Sequence, residues 1–216
     1  MNVIIHVEQA LQEMIMTIKA MSEIFYRPHL AMKHLRDENL KGTAEVLVLL
    51  SLMALIPAAS LFIGTTQMGW SLFPGGELVK LSAISALNSA IAFYLATCFA
   101  LGAMGFSIHW MEKTYGGHAS LERCMNLTLY TAAPLLLSGF AGLYPMLWFC
   151  VAVGMLALAY STYLLFTGVP IIMKIPEARG FMFCISILTV GLIILVGLRA
   201  ATVFLWSTMT PLAYIG

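Results

Sequence analysis

One permanent cation stands inside an apolar run: Arg199 in "LIILVGLRAATVFLW". Near mid-bilayer a charge costs about 2.5–3.5 kcal/mol, so it marks a site or an anchor. Asn88, Tyr130, Tyr160 and Tyr163 also fall within apolar stretches. An amide, three phenols and a guanidinium could line a hydrated path between helices, with Pro57 and Pro134 as gating hinges. Each has a plainer reading. Asn88 is hydrogen-bonding glue between helices. Arg199, ~10 Å below the level of Trp206, snorkels to outer phosphates or water, or bonds internally to Glu77 or backbone carbonyls. Pro57, Pro134 and Pro145 are static kinks.

The groups that membrane enzymes need are missing. Asp37 is the only aspartate, so an intramembrane aspartyl dyad is excluded. No HExxH, GxSxG or Walker sequence occurs. His29 and His34 lie close together, and His109 and His118 flank "MEKTYGG" with Cys124 nearby, but this is not a ligand spacing. Cys98, Cys124, Cys150 and Cys184 form no CxxC pair and read as small apolar packing residues. The expectation is no enzyme: no catalytic, cofactor-binding or metal residues, and no cofactor.

The elements that must position these residues follow from composition. Of 216 residues, 61% are hydrophobic and 10% charged, against about 25% charged in soluble domains. The protein is expected to be an all-α integral membrane protein. The first residues do not read as a secretory signal, because Glu8, Glu13 and Glu23 interrupt them. The formal net charge of +1 points to no nucleic-acid partner.

A helix crosses the bilayer core with roughly 20 apolar residues. Five stretches qualify: 46–63, 81–108, a short and marginal 124–140, 143–167 and 181–206. None as drawn contains an acid, which argues against a proton relay at depth. Strands of a barrel would alternate over ~10 residues, and these runs do not. Small residues repeat along the second span (Ser82, Ala86, Ala90 beside Ser85, Ser89, Ala92), predicting that it is the packing hub. In "YSTYLLFTGVPIIMKIPEARG", Gly168, Pro170 and Pro176 predict a helix break and a surface-lying segment.

Lys19, Arg27, Lys33, Arg36 and Lys41 precede the first span. Lys113, Arg123, Lys174 and Arg179 fall in the loops on the same side, and Lys80 alone on the other. The positive-inside rule then predicts a cytoplasmic N-terminus and a periplasmic C-terminus. Residues 1–44 form the one sizeable polar segment, and 45–216 the membrane domain. Val7, Leu11, Met14, Ile15, Ile18, Met21 and Phe25 share a helical face, so the arm reads as an amphipathic cytoplasmic helix. It lies on the inner leaflet, caps the mouth of the bundle or binds a partner.

Taken together, "CMNLTLYTAAPLLLSGFAGLYPMLWFCVAVGMLALAYSTYLLFTGVPIIMKIP", "FYRPHLAMKHLR" and "FIGTTQMGW" resemble the Yip family, the Ypt/Rab-interacting membrane proteins, in its bacterial inner-membrane branch. The resemblance covers about residues 25–206 and implies five helices and a cytoplasmic N-terminus. Eukaryotic relatives bind Rab-type GTPases and shape early secretory membranes. The Asp-Leu-Tyr-Gly-Pro motif of those relatives is absent here, with "LFIGTTQ" in its place. No residue role therefore carries over.

Two function classes stay open. One is a non-enzymatic inner-membrane scaffold that organises the membrane or binds a cytoplasmic partner through its arm, with lipids around it. The other is a small transporter or channel, with Asn88, the tyrosines and Arg199 along its path. Either is compatible with a homo-oligomer.

Overall fold

The computed structural model describes residues 23–37, 42–71, 78, 80–144, 146–208 and 214–215. The amphipathic stretch before residue 23, Glu77, Pro145 and the Arg199 side chain lie outside the described residues. Residues 23–26 are helical and lead into α1, Pro28–Asp37. Five long helices follow: α2 (Thr43–Ile63), α3 (Ala83–Glu112), α4 (Leu121–Leu137), α5 (Leu147–Met173) and α6 (Glu177–Thr208). Each is long and apolar enough to cross a membrane. A two-residue strand β1, Lys80–Leu81, pairs antiparallel with β2, Tyr214–Ile215. That pairing sits at the end of the bundle opposite α1.

Local chemistry sets the boundaries. α2 starts after Gly42, with Glu45 in the first turn where the helix dipole favours an anion. It runs past Pro57 into a π-helical turn, Gly64–Met68, which Gly69 ends at φ 80°. Thr65 and Thr66 donate to Leu61 O and Phe62 O at 2.8 and 2.7 Å, loosening the ordinary ladder there. Ser82 and Ser120 cap α3 and α4 by accepting from the amides of Ser85 and Arg123.

Hydropathy locates the spans but misjudges the centre. The third span looked marginal, and its mean hydropathy, 1.3, is the lowest of the five. Yet 56% of its window is buried, against at most 28% for the others. α4 is therefore the central helix, and every residue from Cys124 to Tyr130 is buried. A helix enclosed by protein meets little lipid, so Asn126 and Thr128 are tolerated, each donating to the carbonyl one turn back. The expected hub, the second span, is corrected accordingly. α3 buries Ala86, Ser89 and Ala90 but has the most open window, 11% buried.

The expected break at Gly168 and Pro170 is also corrected. α5 continues through both to Met173, and Val169, Ile172, Met173 and Ile175 are core residues rather than a surface segment. A Cβ on Gly168 would meet Leu127 Cδ1 at 3.0 Å and Met32 Sδ at 3.1 Å, so the glycine lets α1, α4 and α5 converge. Packing on three sides holds the helix across the missing proline donor. The chain turns instead at Lys174, whose φ of 54° is the one positive value among described non-glycine residues, followed by Pro176 before α6. At the far end a 3-10 turn, Ser138–Leu143, joins α4 to α5. A Cβ on Gly139 would fall 2.5 Å from Pro57 Cβ and 2.6 Å from its Cα. The four cysteines are free, with Cys124 and Cys184 fully buried in the core.

Candidate functional site

A group of charged and polar residues gathers at the α1 end. α3 runs beyond its expected limit, and the extra turns carry an acid into the interior: Glu112 is 2% exposed. This overturns the expectation that no span contains one. The one hint in sequence is spacing: Gly105, Ile108 and Glu112 recur every three or four residues, and all three are buried.

Glu112 ties down the loop that follows it. Its Oε2 accepts a short hydrogen bond from the Ala119 amide, and its carbonyl accepts from the Gly117 amide at 3.0 Å. A Cβ on Gly117 would press within 3.3 Å of both oxygens, so the close approach requires glycine. His109 Nδ1 stands 3.8 Å from Glu112 Oε1 and has no hydrogen-bond partner. From the other side, the Tyr115 ring stacks on Phe183 at 4.9 Å, and its hydroxyl lies 2.5 Å from Ser186 Oγ. The loop between α3 and α4 is thus fastened to α3 and α6.

This fastening places His118, Ser120 and Arg123 opposite Lys174, around a cavity of about 550 Å³ floored by Ile172 and Met173. A second cavity, about 490 Å³, opens among α1, α5 and α6, with His29, Thr167, Pro170 and Glu177 on its walls. The remaining contact at this end concerns the arm. Tyr160 Oη donates to Ile24 O at 2.7 Å, and its ring stacks on Phe25 with centroids 5.6 Å apart. Ile24, Ala31 and Met32 are buried, so the stretch from Ile24 to Met32 runs along the second half of α5, from Tyr160 to Gly168.

The residues expected from sequence do not assemble into one path. Tyr160 and Tyr163 come together, with centroids 5.9 Å apart, but Tyr163 is half exposed. Tyr130 and Pro134 are buried within α4. Asn88 is exposed on α3 near the opposite end of the bundle, not turned inward. None of these five lines either cavity. Glu112, Arg123 and Lys174 were missed, because in sequence they read as ordinary loop charges, while His118 was weighed only as a metal ligand and set aside.

Comparison with known proteins adds a consistent context. The Yip1 domain profile matches residues 22–198. Two curated relatives, both called inner membrane protein YohC, come from Escherichia coli strains K12 and CFT073. Each is 39% identical over 184 residues, covering 85% of this chain and 94% of the relative. No solved structure matches.

Proposed function

The chain belongs to the Yip1-domain family, and from that membership and the geometry of the α1 end we propose that it is a non-enzymatic inner-membrane scaffold, oriented with α1 in the cytoplasm. The bundle holds a docked N-terminal segment whose free side recruits a protein partner or engages the inner leaflet. One observation carries this reading: Tyr160 and the core pocket around Met32 hold the segment to α5, while Tyr26 is 86% exposed beside it. With Phe25 and Leu30 also exposed along this segment, its open side is apolar and aromatic, which suits contact with a protein or with lipid.

The transporter reading draws on one observation, the buried Glu112 beside His109. Glu112 is better explained as the tether of the loop, since both its carboxylate and its carbonyl are occupied by loop amides.

The test is photo-cross-linking in native membranes with a reactive amino acid at Tyr26, in the full chain and in a chain carrying Tyr160→Phe. The scaffold reading expects one discrete adduct at Tyr26, weakened when the tether is cut. It expects none at Phe99, on the open face of α3. Equal, diffuse labelling at both positions would refute it.

A further inference from the structure

The strongest unassigned feature is the cavity between the loop before α4 and the end of α5. Arg123, His118 and Lys174 all line it, and among the described residues none of the three is in an ion pair. A third cation stands at the rim: a Cβ on Gly116 would lie 3.0 Å from Arg179 Nη1, so the guanidinium rests against the loop backbone. The nearby acids are turned elsewhere. Glu112 is bonded to Ala119 N beneath the loop, Glu122 is exposed outside the lining, and Glu177 lines the other cavity. The first turn of α4, which opens on this space at Ser120, adds the positive end of a 17-residue helix.

The backbone contributes a second, independent observation. The position that ends α5 is left-handed, a site that favours glycine or asparagine, and here it holds Lys174. Strain kept at a residue lining a basic cavity is explained if the ammonium is needed there.

Depth indicates the ligand class. α5 has 27 residues, about 40 Å of helix, while a bilayer core is about 30 Å thick. With Leu147 at one boundary of the core, Lys174 and Arg123 stand at the level of the opposite headgroups. The ambient anion there is phosphate, and guanidinium and ammonium donors recognise it by charge-assisted hydrogen bonds. We propose that Arg123, Lys174 and His118 form a binding site for a phosphate group, borne by an anionic lipid headgroup or by a soluble phosphate. The proposal stands apart from the scaffold reading, since it requires neither the arm nor a protein partner.

The experiment uses the purified full chain in neutral detergent, titrated separately with dihexanoyl phosphatidylglycerol, dihexanoyl phosphatidylcholine and inorganic phosphate, with occupancy read by native mass spectrometry. The wild type should retain phosphatidylglycerol or inorganic phosphate in preference to phosphatidylcholine, and whichever of the two binds identifies the source. The double variant Arg123→Gln/Lys174→Gln should bind about ten-fold more weakly, and Lys113→Gln, outside the cavity, should bind as the wild type does. Lys174→Gly separates folding from binding, because glycine relaxes the left-handed position. Its unfolding temperature should hold or rise while its occupancy falls. Absence of preferential retention, or unchanged retention by the double variant, overturns the proposal.

Discussion

Glu112 shows what a single residue does at the α1 end. A carboxylate this buried must be satisfied, and the Ala119 amide satisfies it in return. Glu112→Ala leaves that amide without its acceptor, at about 1–3 kcal/mol. We expect a lower unfolding temperature in detergent and faster proteolysis between Tyr115 and Ser120. Glu112→Gln keeps an acceptor oxygen in place and should lose less. Gly139 makes a different demand, being seated on Pro57 backbone that cannot move aside. Gly139→Ala should cost about 1–3 kcal/mol by overpacking, readable as a lower unfolding temperature with the secondary structure retained. Neither role was visible in sequence. Glu112 follows an apolar run and precedes "KTYGG", which reads as the start of a loop, and only the Gly105–Ile108–Glu112 spacing hinted that the helix continues. The same holds for Lys174, whose special backbone geometry has no sequence mark, since the usual mark is a glycine.

Among the elements, hydropathy served well for those facing lipid and poorly for the one that does not. α2 and α6 announce themselves by mean hydropathies of 2.6 and 2.5, and each faces outward over most of its window. α4 is polar enough to look doubtful for the same reason that it is central. Pro170 misled in the opposite direction. Local propensity says that a helix ends there, and packing by Met32, Leu127 and the close approach of Gly180 carries α5 through. The docked segment before α1 is a third element whose position depends on distant partners. Tyr160→Phe removes its hydrogen bond to Ile24 O, worth about 1 kcal/mol. Hydrogen exchange at residues 24–27 should accelerate several-fold while exchange in α4 stays unchanged. Equal rates at both places would mean that the tether does not hold the segment.

For the whole molecule, five spans put α1 and the β1–β2 pair at opposite ends. From the uneven placement of lysine and arginine we propose that α1 is cytoplasmic. In a cysteine-free background, a cysteine at Met68 should react with a membrane-impermeant thiol reagent on intact cells. One at Lys113 should react only after the membrane is opened. The reverse pattern would invert the orientation and move the basic cavity to the other leaflet. The central claim is that the working surface is the α1 end of a bundle through which nothing passes. Native mass spectrometry of the chain released from nanodiscs, intact and lacking residues 1–24, tests this most directly. The account predicts that a protein partner accompanies the intact chain and is reduced in the shortened one, with the bundle still folded, while phospholipid held at the basic cavity stays with both. A small non-lipid solute other than phosphate, carried equally by both forms, would contradict it, because that solute would have to lie inside the bundle.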